Sequence, residues 1–129
     1  MTMLKPTEGE LAILRVLWSR KGPMTVREVH DMLSRDKDTA YTTVLKMLTI
    51  MAEKGLVHRD ESERSHSYRP VHAEPAVQAS LLKDLVRRAF SGSALTLVQR
   101  ALDDEMASAE DLEAISELIA EAKAKRKQG

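Results

Sequence analysis

The chain of 129 residues contains no cysteine, which excludes disulfide bonds, thiolate metal sites and cysteine nucleophiles, and which suits a reducing compartment. Aromatic residues are scarce, so a core must be built from aliphatic side chains and Met, which favours packed helices. No apolar run approaches the roughly 18 residues of a membrane span, and the beginning of the chain has no signal-peptide core. These absences predict a soluble cytoplasmic protein without a membrane partner.

Charge of either sign is not in excess, because the net charge at pH 7 is zero. The distribution is uneven: residues 1–72 have a balance of +2 and contain all four histidines, whereas residues 73–129 have a balance of −2. This asymmetry is mild. It permits nucleic-acid binding by the first part of the chain but does not require it.

Two capping boxes mark the starts of two short helices near the beginning of the chain. Thr7 is followed three residues later by Glu10, and Thr25 by Glu28, so each threonine can cap a helix while the glutamate caps in return. The apolar spacing of the first helix places Trp18 in a core.

A third helix is predicted over residues 38–55, begun by Asp38 or Thr39 and ended by Gly55. Its apolar residues recur with helical spacing and predict one buried face. They are Tyr41, Val44, Leu45, Leu48, Met51 and Ala52.

The opposite face of the third helix begins with small side chains, two hydroxyls and one cation. These residues are Ala40, Thr42, Thr43 and Lys46. Such a face suits a DNA groove, because small residues permit close approach and hydroxyls meet phosphates or base edges. A solvated face without function is the alternative. Tyr41 fits a stacking contact with the DNA backbone and a core position about equally well.

A β-hairpin is predicted directly after the three helices. Residues 56–59 and 66–71 have strand character and are separated by a charged loop with Arg64 near its tip. The order of three helices and a hairpin is that of a winged helix, whose loop reaches phosphates or the adjacent minor groove. Such a fold is mainly α with a small β-hairpin wing.

Residues 73–129 are predicted to form three amphipathic helices. Helices appended to a small domain leave apolar surface that a second copy of the chain commonly covers, which predicts a homodimer. The alternative is a compact monomer whose last helices fold back on the first domain. The candidate dimerisation residues are Leu81, Leu85, Leu95, Val98, Leu102, Leu112, Ile115 and Ile119.

No motif for catalysis, a cofactor or a metal stands out. The chain has no Gly-rich phosphate loop, no nucleophile elbow and no His/Glu pair at zinc spacing, so we predict that it is not an enzyme and uses no cofactor. His58, Asp60 and His66 are too loosely spaced on the predicted wing to support a metal site.

Four groups of residues occur in an ordered set with characteristic spacing. They are Thr7-Glu8-Gly9-Glu10-Leu11 through Leu17-Trp18; Thr25-Val26-Arg27-Glu28-Val29; Ala40-Tyr41-Thr42-Thr43-Val44 with Lys54-Gly55-Leu56-Val57; and His66-Ser67-Tyr68-Arg69-Pro70. With this set the chain resembles the BlaI/MecI family of penicillinase repressors from about residue 4 to residue 122.

The resemblance implies a winged-helix DNA-binding domain at residues 1–72, a helical dimerisation domain at residues 73–129, and repression at palindromic operators with TACA/TGTA-like half-sites. It places Thr42 and Thr43 toward the DNA groove and Lys46 one turn further along. The matching wing residues are Arg64, His66 and Tyr68. The implied partners are double-stranded DNA, a second copy of the chain, and a sensor protease or other inducing factor.

The sequence departs from the family pattern at three points. Ile50 occupies a position where many relatives have an arginine. The Asn-Phe bond that a sensor protease cuts in antibiotic-responsive members has no counterpart near Val98-Gln99, so that induction mechanism is not carried over. The cysteines of the copper-responsive branch are absent, which excludes thiolate copper sensing.

These observations predict a homodimeric DNA-binding repressor. The alternative is a winged-helix module that uses the same polar helix face and wing to bind another protein, which the zero net charge leaves open.

Overall fold

The structure, a computed structural model, describes residues 5–128; residues 1–4 and 129, with which the two predicted domains begin and end, lie outside the described part. It confirms the expected fold class, mainly α with a small antiparallel sheet. The elements are α1 (Glu8–Trp18), β1 (Met24–Thr25), α2 (Val26–Leu33), α3 (Tyr41–Glu53), β2 (Val57–Asp60), β3 (Ser67–Pro70), α4 (Glu74–Ala89), α5 (Ala94–Asp103) and α6 (Ala109–Gln128).

Both predicted capping boxes are present. The Thr7 hydroxyl accepts the amide of Glu10 at 3.2 Å, and the Glu10 carboxylate accepts the amide of Thr7 at 2.9 Å. Thr25 and Glu28 form the same pair of bonds, also at 3.2 and 2.9 Å. Each box satisfies two backbone N–H groups that a helix start otherwise leaves without a partner, and so fixes where α1 and α2 begin.

The predicted start of α3 is wrong. Its N-cap is Ala40, which makes no side-chain cap hydrogen bond. The Thr39 hydroxyl instead donates to the Lys37 carbonyl at 3.1 Å, so it is turned away from the helix. The predicted end is confirmed, because Gly55 has a φ of +80°, in the left-handed region where glycine ends helices.

The buried face of α3 also differs in part from the predicted one. Val44, Leu48 and Met51 are fully buried, as expected, but Leu45 is 41% exposed and Tyr41 39% exposed. Met47 packs against the core in their place. Either set of apolar residues satisfies helical spacing, and the contacts of α3 with α2 and β2 determine which set is buried.

The sheet has the order β1-β3-β2, with both pairings antiparallel. Strands β2 and β3 form the predicted hairpin, with Arg59 opposite Tyr68. The short β1 adds a third strand that places Met24 on the other side of Tyr68. Tyr68 therefore lies in the central strand, and its side chain is 1% exposed.

The beginning of α4 is held against the winged-helix core. The indole Nε1 of Trp18 donates to the carbonyl of His72 at 3.0 Å, and Trp18 packs against the core cluster as predicted. One turn into α4, Val77 is 1% exposed.

The described chain forms two compact units, residues 5–83 and residues 84–128, and the division falls inside α4. The sequence placed the domain boundary before that helix, at residues 72/73. The assignment of the second part to dimerisation stays a prediction. Within residues 5–128, no helix combines the length and the apolar character needed to cross a membrane.

Candidate nucleic-acid interface

The outer face of α3 presents the polar residues that the sequence singled out. Thr42, Thr43 and Lys46 are all exposed in the first two turns. Thr42 and Lys46 are four residues apart and so stand one above the other on the same face. Lys46 forms no ion pair within residues 5–128. The helix therefore presents two hydroxyls and an uncompensated ammonium group to solvent.

The residues that lead into this face are also at the surface. Ala40, at the N-cap, is exposed and presents only a methyl group. The ring of Tyr41 is partly covered by two residues of α2: Arg27 lies over it, with Cζ 5.4 Å from the ring centroid, and His30 meets it edge-on, with the centroids 5.8 Å apart. Tyr41 is therefore a surface residue that supports its neighbours, and the core reading of it is wrong.

The wing contributes Arg64 and His66, both exposed in the loop between β2 and β3. The turn into the loop is formed by Asp60, whose carboxylate accepts the backbone N–H of Ser62 at 2.9 Å. That hydrogen bond is the largest of the influences that lower the pKa of Asp60 below its ordinary value.

The assignment of Tyr68 to the wing contact surface is wrong. Its neighbours Ser67 and Arg69 point to the other face of β3, because side chains alternate along a strand. Tyr68 is on the central strand, and its side chain lies in the hydrophobic core, where it is among the largest fully buried side chains of the described residues. The presence of Tyr68 in the family motif is therefore explained by its role in core packing.

Sequence reasoning missed Arg27, which lies on α2 and reaches the start of α3 through the ring of Tyr41. The sequence offers no spacing rule that would have found it, because the two residues lie on different helices.

The other end of α3 is tied to α1 by an ion pair. Lys54, the C-cap of α3, donates to both carboxylate oxygens of Glu10, at 2.7 and 2.9 Å. The Glu10 side chain is 6% exposed and that of Lys54 42% exposed. Burial alone would raise the pKa of Glu10, but the hydrogen bonds from Lys54 and Thr7 outweigh it and lower the pKa below the ordinary 4.5.

The predicted dimerisation residues are mostly at the surface. In the unit of residues 84–128, the exposed members range from 42% to 78% exposed. They are Leu85, Leu95, Val98, Leu102, Leu112 and Ile119. Ile115 is half-buried there, and Leu81 is half-buried in the unit of residues 5–83. Within residues 5–128, no three His, Asp or Glu side chains are grouped so that they could hold a metal ion.

A model of the penicillinase repressor family matches residues 6–121, nearly the whole chain. The chain belongs to the penicillinase repressor family. Two proteins named transcriptional regulator BlaI, from two strains of Mycobacterium tuberculosis, are each 38% identical to it over 116 residues. The matched segment covers 89% of this chain and 83% of each relative.

A solved structure of Bacillus licheniformis BlaI, a monomeric form in complex with the blaP half-operator, is also similar. It is 23% identical to this chain, with a TM-score of 0.49, and the similar region covers 58% of this chain and 90% of that one. The penicillinase repressor family is one of transcriptional regulators, so the chain is a regulator rather than an enzyme.

Proposed function

We propose that this member of the penicillinase repressor family binds double-stranded DNA through α3 and the wing, as a homodimer on a palindromic operator with TACA/TGTA-like half-sites. The observation that carries the proposal is the exposed face of α3, where Thr42, Thr43 and Lys46 stand free of partners from the core. A helix with this face fits the major groove, with the threonines near base edges and the ammonium near phosphates.

The wing supplies the second contact. Arg64 and His66 lie on an exposed loop beyond the sheet, while Tyr68 holds the central strand in the core. An arginine on a projecting loop suits a phosphate or the narrow minor groove beside the site that α3 occupies. Contacts of this kind fix the orientation of the protein on the duplex.

The proposed dimer is supported by the apolar side chains exposed on residues 84–128, since a surface of this extent is commonly covered by another chain. A two-fold dimer presents two copies of α3 about one turn of DNA apart, roughly 34 Å, and so reads a palindrome. Repression then follows because the bound dimer occupies a promoter. The proposal includes a cytoplasmic location and an inducing factor that releases the operator.

The experiment begins with selection of bound duplexes from a random pool by the full-length protein. The selected duplex is then titrated at several salt concentrations, with a scrambled duplex as control, and the protein is sedimented over a range of concentrations. We expect a palindromic site, binding that weakens steeply with salt, and a dimer. If no duplex binds even at low salt, the proposal fails and the same face is better explained as a protein-binding surface.

A further inference from the structure

Three side chains from α2 and α3 are stacked at the start of the proposed recognition helix. The guanidinium of Arg27 lies over the face of the Tyr41 ring at 5.4 Å, within the range of a cation–π contact. His30 meets the ring edge-on, at 5.8 Å between centroids and an interplanar angle of 67°. The tyrosine ring thus contacts both the imidazole of His30 and the guanidinium of Arg27.

The histidine that contacts the ring is itself held in place by a hydrogen bond. Its Nε2 lies 2.7 Å from the carbonyl oxygen of Thr39. Because a carbonyl only accepts hydrogen bonds, Nε2 carries the proton and donates it. This bond joins α2 to the residue that precedes the N-cap of α3. The position of Tyr41, and with it that of Arg27, is therefore coupled to the entry of α3.

Arg27 has no carboxylate partner within residues 5–128. Two arginines of the same unit do have one: Arg20 pairs with Glu28 at 2.8 Å, and Arg59 with Glu61 at 2.9 Å. Arg27 is exposed, is in contact with an aromatic ring and forms no ion pair within residues 5–128. A guanidinium that is already oriented loses little side-chain entropy when it binds an anion, and this favours binding.

We propose that Arg27 binds a phosphate of the DNA backbone and that Tyr41 is its positioning residue. The inference rests on the proposed function and extends the contact surface from α3 onto α2. A phosphate is the expected ligand because Arg27 lies beside the groove-facing helix rather than on its outer face, and because phosphates border the groove. The contact fixes the register of α3 without reading sequence.

The test compares full-length wild-type protein with Arg27→Ala, on the selected duplex and on a scrambled one, between 50 and 200 mM salt. Loss of one phosphate contact lowers the slope of log affinity against log salt by about 0.9 for each protomer. The ratio of wild-type affinity to Arg27→Ala affinity should therefore fall, over this fourfold salt range, by a factor of about 3.5 for each protomer. Both duplexes are expected to lose affinity by the same factor.

The positioning role of Tyr41 is tested with two substitutions. Tyr41→Phe keeps the ring and is expected to keep both the affinity and the salt slope. Tyr41→Ala removes the ring and is expected to weaken binding. Tyr41→Ala should weaken binding much less in the Arg27→Ala background, because the guanidinium that Tyr41 positions is then absent. Equal losses in both backgrounds would contradict the coupling.

Lys123→Ala is the control, because it removes one exposed positive charge from α6, outside the unit of residues 5–83 that holds the stacked residues and the proposed contact face. Its salt slope should equal that of the wild type. If wild-type protein binds DNA but Arg27→Ala keeps its affinity and its slope, the role of Arg27 is refuted and the proposed function stands. If wild-type protein binds no duplex, the proposed function itself fails. Circular dichroism verifies that each variant is folded.

Discussion

Lys54, at the end of α3, donates two hydrogen bonds to the buried carboxylate of Glu10, in the first turn of α1. The residues are 44 positions apart in the chain. Glu10 also completes the capping box of α1 by accepting the amide of Thr7. One carboxylate thus fixes the start of α1 and the C-terminal end of the helix that carries the candidate DNA contacts.

We expect Lys54→Met to lower the free energy of unfolding by roughly 1–2 kcal/mol. The substitution leaves the Glu10 carboxylate buried with only the Thr7 bonds, and an unpaired buried charge is destabilising. The effect stays at the lower end because Lys54 is 42% exposed and water partly screens the pair. Urea unfolding measures it. Glu61→Gln, which breaks the exposed pair with Arg59, is the control and should change stability by less than about 0.5 kcal/mol.

The same pair predicts an acid-dependent loss of stability. The pKa of Glu10 is lower in the folded protein than its ordinary 4.5, so the unfolded chain takes up a proton first as the pH falls. The contribution of Glu10 is complete above the ordinary pKa and is lost as the pH falls through the lowered one. Glu10→Gln should therefore be less stable than wild type near neutrality, and the difference should shrink in acid. A constant difference between pH 7 and pH 3 would contradict this.

Local features of the fold followed from the sequence because their signals lie within one helical turn. The boxes of Thr7 with Glu10 and of Thr25 with Glu28 require only residues three apart, and Gly55 marks a helix end by its backbone freedom alone. The candidate contact residues on α3 could be predicted for a related reason, because they lie on the face opposite the apolar residues of the same helix.

Features that depend on distant neighbours were not predictable. Helical spacing allowed Leu45 on the buried face of α3, but in the fold, where α3 packs against α2 and β2, Met47 packs against the core instead. Tyr68 matched a wing motif, yet its burial depends on the packing of β3 against α1 in the core, which the sequence does not specify. The contact of Arg27 with Tyr41 joins two helices, so neither helix alone reveals it.

Substitutions of Tyr68 and His66 distinguish a hairpin residue that packs in the core from one that lies at the surface. We expect Tyr68→Ala to lower the free energy of unfolding by about 3–5 kcal/mol, because it removes a fully buried aromatic ring and leaves a cavity. His66→Ala changes an exposed loop residue and should alter stability by less than about 0.5 kcal/mol. Thermal and urea unfolding measure both. Equal effects of the two substitutions would contradict the placement of Tyr68 in the core.

Lys46→Ala is predicted to weaken DNA binding without destabilising the protein, since Lys46 is exposed and forms no ion pair within the described chain. Titrations with the selected and the scrambled duplex distinguish its role. Equal weakening on both duplexes, with a salt slope lower by about 0.9 for each protomer, identifies a phosphate contact. Greater weakening on the selected duplex identifies contact with a base, worth roughly 1–3 kcal/mol of discrimination. Unchanged binding to both would remove Lys46 from the interface.

The dimer prediction is tested on α6, where Ile119 is 49% exposed and Ala120 beside it is exposed on a different side of the helix. Ile119→Lys introduces a charge where we expect apolar contact with a second copy, so it should raise the dimer dissociation constant by at least about tenfold, as burial of an unpaired charge costs several kcal/mol. Ala120→Lys introduces the same charge on a side of α6 away from the candidate dimerisation residues Leu112, Ile115 and Ile119, and should leave the dimer intact. Sedimentation equilibrium measures both.

Since two linked copies of α3 bind a palindrome more tightly than one copy does, Ile119→Lys should also weaken binding to the operator, while its binding to single half-sites should not change. A wild-type protein that sediments only as single chains would refute the dimer.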